Sequence, residues 1–196
     1  MNIHPVTIKG QIVHLEPLSA HHIPGLTKIG QDEKIWQYLP YGLLNTPEKM
    51  GTHVSEMLRK ATEGTDLPFA VIHLNTQQPI GCTRYLGIDR LNRKLEIGGT
   101  WYGSDFQRTG VNTECKYLLL IHAFETLNCI RVQFKTDALN VRSQIAIERL
   151  KAVKEGVLRN HMIRPDGKPR DSVYYSILDS EWPQVRADLQ KKLFRN

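Results

Sequence analysis

Gln107-Arg108-Thr109-Gly110-Val111-Asn112-Thr113-Glu114-Cys115 marks the point where an extended, glycine-punctuated segment gives way to a long apolar helix. The first N–H groups of a helix have no partner inside it, and the helix dipole adds partial positive charge there. A junction of this kind holds an anion with its own backbone. Gly110 removes the Cβ that would obstruct close approach, and Arg108 adds a full charge. The stretch points to a phosphate-bearing ligand; a plain helix entry is the competing structural reading.

Working outward, hydrophobic periodicity and turn residues predict a half-exposed strand over 11–18 and a short helix over 19–29 with Ser19 as cap. A second short helix is predicted over 32–38. Thr46-Pro47 starts a longer one that places Met50, Val54, Met57, Leu58 and Ala61 on one side and ends near Gly64. Strands over 69–74, 80–88 and 94–102 are joined by short turns and read as an antiparallel meander. The helix after the opening stretch covers 113–127. A strand over 131–136, a helix over 140–152 and strands over 156–163 and 170–178 follow, the last two joined by a hairpin containing Asp166-Gly167. A terminal helix begins at about 181. The strand–helix–strand unit in the middle implies a right-handed crossover between parallel neighbours. The predicted class is α/β (α+β): a mixed, largely antiparallel sheet of six to seven strands flanked by helices, in one domain over 1–196.

Composition narrows the function classes. Lys plus Arg exceeds Asp plus Glu by 26 − 20 = 6. The charges are scattered without a basic run, so direct nucleic-acid binding is not expected. The longest apolar run, Leu118 to Ile121, is far too short for a bilayer, and the first residues carry no secretory pattern. Cys82, Cys115 and Cys129 form no C-x-x-C pair, which suits reduced thiols in a cytoplasm. The eight histidines show no metal-type spacing, and His21 and His22 should diverge on a helix, so no metal is expected.

The loop is not of the familiar nucleotide types. A Walker loop needs Gly-Lys-Ser/Thr, and here Gly167-Lys168 is followed by Pro169. Gly98, Gly99 and Gly103 do not have dinucleotide-fold spacing. Gln107-Arg108-Thr109-Gly110-Val111-Asn112 resembles instead the pyrophosphate loop of the GCN5-related N-acetyltransferases (GNAT), departing from it where Asn112 replaces Gly or Ala. The resemblance extends to Glu96-Ile97-Gly98, to Thr136-Asp137 with Asn140 and Ser143, to Glu155-Gly156 with Leu158-Arg159, and to the run from Asp171 to Ser176 followed by Glu181-Trp182. Taken together these are similar to the subgroup of ribosomal-protein N-terminal (Rim-type) acetyltransferases, from about Gln11 to Trp182.

The resemblance implies acetyl transfer from acetyl-CoA to a primary amine by direct attack in a ternary complex. It implies that Gln107, Arg108, Thr109, Gly110, Val111, Asn112 and Thr113 hold the pyrophosphate. The backbone of Ile97, Gly98 and Gly99 would orient the thioester from a bulged strand, and Asn140 would meet the pantetheine arm. Glu96 is the implied base, through water; a solvent-facing strand carboxylate is the alternative. The family's tyrosine acid is absent, since its position holds Ile147. Ser143 stands where the subgroup has a serine serving the thiolate; a first-turn residue bonding backbone is the alternative. Trp36, Tyr38 and Tyr41 are candidates for the acceptor pocket, or core aromatics. The acceptor is a protein N-terminus, a small amine or an antibiotic. A non-catalytic acyl-CoA sensor, a basic protein that docks on ribosomal RNA and a homodimer remain open.

Overall fold

The computed structural model describes residues 1–194. β1 (Ile8–Lys9) and β2 (Val13–Pro17) form a tight pair, and α1 (Ile23–Ile29) follows a single 3-10 turn. α2 (Pro47–Thr62) starts where Thr46 Oγ1 accepts from the Lys49 N–H at 3.3 Å and Pro47 occupies the first turn. Met50, Val54 and Met57 are its buried stripe. Burial of each contributes about 1.5–3 kcal/mol. β3 (Leu67–His73), β4 (Gln78–Asp89) and β5 (Lys94–Tyr102) are the antiparallel meander. α3 (Val111–Ile121) crosses to β6 (Arg131–Asp137), and α4 (Val141–Glu148) leads to the hairpin β7 (Val153–Ile163) and β8 (Pro169–Leu178). α5 (Trp182–Leu193) closes the described chain.

The eight strands form one sheet in the order β1-β2-β3-β4-β5-β6-β8-β7. All neighbours are antiparallel except β5 and β6. An apolar core lies on each face. On the back, Leu119 and Leu120 of α3 and Val185 and Leu189 of α5 pack with Leu95, Ile97 and Phe134. On the front, Leu26 of α1 and the buried stripe of α2 pack with Ala70, Cys82 and Trp101.

Two departures from a regular sheet fall together at β5. The parallel pairing of β5 with β6 covers only Lys94–Arg131, Leu95–Val132 and Glu96–Gln133. Beyond Glu96 the two strands part, and the edge of β5 is left open. At that point β5 is also bulged against β4. Arg84 pairs with Gly98 and Cys82 with Trp101, so Thr83 alone faces Gly99 and Thr100. Gly99 sits at φ +58°, where a side chain is strained.

Several boundaries differ from the sequence expectation. The two-residue β1 was not foreseen and brings the sheet to eight strands. It is held by long-range pairing rather than by a pattern of its own. The helix expected over 32–38 is only a 3-10 turn at Glu33–Ile35. The helix expected over 113–127 begins at Val111 and passes into a π turn at His122–Thr126, where the Leu127 N–H reaches back to His122 O at 2.9 Å. α4 ends four residues before 152 and β7 begins at Val153, because Lys151 turns into positive φ at 67°. Among the described residues no helix is long and apolar enough to cross a membrane.

Candidate active site

At the opening stretch the backbone strain falls on Arg108, at φ 61°, rather than on Gly110, whose φ of −66° is helical. The expected freedom of Gly110 is steric instead: a Cβ there would come within 2.9 Å of Ile12 Cδ1. Thr109 fixes the turn, donating to Phe106 O at 2.8 Å and accepting from the Val111 N–H at 3.3 Å. Gln107 donates to Tyr102 O at 3.0 Å and accepts from Arg142 at 3.0 Å, which ties the loop to α4 across the cleft mouth. Asn112 does not cap α3; Gly110 occupies that position, and Asn112 Oδ1 accepts from the Tyr102 hydroxyl at 3.3 Å.

A first-turn carboxylate would oppose a bound phosphate, and Glu114 stands in that turn. It is 1% exposed and points the other way, accepting from the N–H groups of Gln11, Ile12 and Val13, each at 2.8 Å. Arg108, Thr109 and Gly110 are exposed beside the open N-terminus of α3. The loop therefore suits a pyrophosphate: first-turn amides beyond Val111, whose N–H Thr109 already accepts, one cation, and a first-turn carboxylate turned away.

At the bulge, Arg84 and Tyr41 lie over Gly99. A Cβ on Gly99 would sit 2.9 Å from Arg84 Nε and 3.0 Å from the Tyr41 hydroxyl. Arg84 donates to that hydroxyl at 3.2 Å and pairs with buried Asp66 at 3.2 Å. His53 packs against Tyr41 in a tilted arrangement with ring centroids 4.3 Å apart. Burial, then the charges of Arg84 and Lys60, push the His53 pKa down to about 4, so it is neutral at physiological pH. Behind the strand, Thr100 Oγ1 contacts Thr83 Oγ1 at 2.8 Å and accepts from the buried Lys116 ammonium at 2.5 Å.

Glu96 is on the front face where β5 and β6 part. It is 8% exposed, accepts from Gln133 at 2.9 Å and pairs with Lys135 at 3.7 Å. Strand alternation continues this polar row along β6 and β8. The Lys135 ammonium lies 6.0 Å over the Tyr174 ring, whose hydroxyl contacts His161 at 3.3 Å. Asp137 is held by Arg164 at 2.8 and 2.9 Å, with Arg170 at 3.6 Å. Asn140 caps α4 by accepting from the Ser143 N–H at 3.0 Å, and Ser143 is half-buried at the start of that helix.

The structure thus gathers Glu96, Gly98, Gly99 and Tyr41 at the bulge and leaves the 107–113 loop and Asn140–Ser143 at the ends of the two helices flanking the cleft. Trp36 does not belong with them. It is 4% exposed, packs on Trp101 at 4.7 Å and donates to Gly30 O at 2.8 Å, so it is a core residue of the front face. Tyr38 is half-buried. The sequence reading missed Arg84, Lys116 and Arg142. Their places depend on the bulge and on chain crossings, and no local pattern marks them. His21 and His22 do not diverge: their rings lie 3.7 Å apart.

The acetyltransferase (GNAT) domain model matches residues 13–153. The chain belongs to the GNAT acetyltransferase family. Among curated proteins it is 36% identical over 95 residues to the Bacillus subtilis protein named "Putative ribosomal N-acetyltransferase YdaF"; the match spans 48% of this chain and about half, 51%, of that relative. Among solved structures, a GCN5-related N-acetyltransferase from Brucella melitensis superposes with a TM-score of 0.92 at 27% identity, covering 98% of this chain and 87% of the other. Mycobacterium smegmatis RimJ, solved with CoA-disulfide, superposes at 0.80 with 20% identity over 95% and 90% of the two chains, a likeness of fold.

Proposed function

We propose that this protein is an acetyl-CoA-dependent N-acetyltransferase that acetylates a primary amine, with a protein N-terminal α-amine as the acceptor class, by direct attack in a ternary complex. The observation that carries the reading is the coincidence of the β5 bulge at Gly98–Gly99, the parting of β5 from β6 after Glu96 and the phosphate-compatible loop at the start of α3. In this reading acetyl-CoA supplies the activated acyl group. The α3 amides and Arg108 hold its diphosphate, and Arg142 and Asn140 border its path into the cleft. Backbone amides of the bulge orient the thioester carbonyl and stabilise negative charge on its oxygen. Glu96, the partner of Lys135 and Gln133, takes the amine proton through water. Ser143 hydrogen-bonds the departing sulfur.

The charge of the front face favours the α-amine over a polycationic antibiotic. Asp66, Glu96 and Asp137 are each already paired, with Arg84, Lys135 and Arg164. No free carboxylate of this row is left to attract several ammonium groups. An α-amine, with a pKa of about 8, also needs less help from a base than a lysine at about 10.4.

The test is release of CoA thiol from acetyl-CoA on addition of a library of N-terminal peptides and small amines. Acceptor-dependent release with peptides supports the reading; tight acetyl-CoA binding without any release favours a sensor. Gly110→Glu sets a carboxylate at the phosphate amides and should abolish acetyl-CoA binding in calorimetry while the protein remains folded. Unchanged affinity would remove the phosphate assignment.

A further inference from the structure

The front face carries a second cluster, far from the cleft. β2 lies three strands from β5 in the sheet. Glu16 of β2 meets His21 and His22 of the 3-10 turn that follows, and one ligand atom from each lies within 4.8 Å of the others. Glu16 Oε2 is 3.3 Å from His22 Nε2. The His21 and His22 rings, tilted by 38° with centroids 3.7 Å apart, bring two imidazoles close together.

We propose that Glu16, His21 and His22 form a binding site for a divalent transition-metal ion of the zinc type, with His14 as a positioning residue. Two imidazoles and one carboxylate are a borderline nitrogen and oxygen donor set that suits Zn²⁺, with a fourth position left for water. Ligands around zinc sit about 2 Å from the ion, so this group closes on it by side-chain movements on the order of 1 Å.

Supporting contacts surround the three. His14 Nε2 lies 2.8 Å from Glu16 Oε1 and fixes the carboxylate plane. His22 is 2% exposed, and its Nδ1 lies 3.3 Å from the carbonyl oxygen of Ser19. That same Nδ1 now accepts from the Ser19 N–H at 3.1 Å; metal binding at Nε2 would move the ring proton to Nδ1, which then donates to the Ser19 carbonyl in place of accepting from the N–H, the usual outer-shell arrangement for a histidine ligand. Ser19 Oγ, 2.5 Å from His21 Nδ1, positions the other ring. Ser19 thus supports both imidazoles. An ion here would tie β2 to the entry of α1 and rigidify the front-face helical region without touching the cleft. The inference is independent of acetyl transfer, and its readout is metal binding.

The experiment uses the full, untagged chain stripped with EDTA and freed of chelator, titrated with Zn²⁺ by calorimetry and followed by thermal melting. One ion per chain and a raised Tm are expected. His14→Ala should weaken binding by roughly tenfold, as loss of an outer-shell partner does. Glu16→Gln and His21→Ala, which remove ligands, should weaken it further. His21 is exposed, so its replacement leaves the fold intact, whereas His22 is buried and its replacement is not used. The absence of saturable binding, or binding unchanged in both Glu16→Gln and His21→Ala, overturns the site and leaves the cluster as a hydrogen-bonded clasp.

Discussion

Replacing Lys116 by methionine should stabilise the protein at neutral pH. The Lys116 ammonium is buried behind β5, and among the described residues no carboxylate lies within ion-pair distance of it. Burial pushes its pKa from an ordinary 10.5 down to about 8. Between those values the unfolded chain binds more protons than the folded one, so stability climbs as pH rises from 8 to 10.5. Below pH 8 the folded protein carries the whole cost. A gap of 2.5 pH units corresponds to about 3 kcal/mol. Methionine has a similar length and no charge. Its loss is the hydrogen bond to Thr100, about 1 kcal/mol. Thr100 keeps its 2.8 Å contact with Thr83, so no acceptor is orphaned. The net gain at pH 7 is about 2 kcal/mol, or a Tm roughly 4–8 °C higher for a chain of this size. Thermal melts of both proteins from pH 7 to 10.5 check this: the advantage of Lys116→Met should shrink with pH, vanish at about pH 10 and reverse slightly by 10.5. A variant less stable at pH 7, or a difference that ignores pH, would refute the argument that burial of this ammonium is a net cost.

Other perturbations separate structural from chemical roles. Glu114→Ala leaves the N–H groups of Gln11, Ile12 and Val13 without their acceptor and should cost about 3 kcal/mol or more in urea unfolding; a loss under 1 kcal/mol would mean that water replaces the carboxylate. Glu96→Gln keeps the side chain's shape and should lower kcat roughly 100-fold with acetyl-CoA affinity unchanged, and an unaltered kcat would remove Glu96 from the proposed proton path. Burial alone would raise the Asp137 pKa, but Arg164, the Leu139 N–H and Arg170 outweigh it and hold it below the ordinary 3.8. Its contribution is present above that value and lost as pH falls through the lowered one. Asp137→Asn should therefore flatten the acid limb of the stability curve below about pH 4, and acid-unfolding curves of the same steepness would contradict the pairing.

Much of the frame was legible because it is local. Thr46-Pro47 and the stripe Met50, Val54, Met57 place α2 without any knowledge of its neighbours. The glycine pair at 98–99 announces a bulge, and the hairpin at Asp166-Gly167 announces its turn. The strand–helix–strand unit fixes β5 and β6 as parallel. The GNAT family was legible through the order and spacing of several weak motifs, since the loop alone departs from its pattern at Asn112.

What stayed hidden depends on register. Glu96, Gln133, Lys135 and Asp137 share a face because β5 and β6 align at Glu96–Gln133, and strand alternation does the rest. A shift by one residue would turn Lys135 into the apolar core and Phe134 toward the opposite face, so that single pairing decides which side chains line the proposed acceptor site. Arg84 reaches the site only because Gly98–Gly99 inserts an extra residue opposite Thr83. The bulge also explains why Tyr41, from a loop 43 residues earlier in the chain, can contact the guanidinium of Arg84: at Gly99 there is no side chain to keep them apart. Gly99→Ala therefore tests register and chemistry together. It places a methyl within 2.9 Å of Arg84 Nε and 3.0 Å of the Tyr41 hydroxyl, at a strained φ of +58°. Acetyl transfer should fall far more than acetyl-CoA affinity, because the loop at α3 is untouched while the bulge proposed to orient the thioester is distorted. Equal loss of both would mean that the bulge serves cofactor binding alone, and no loss of either would separate Gly99 from the reaction.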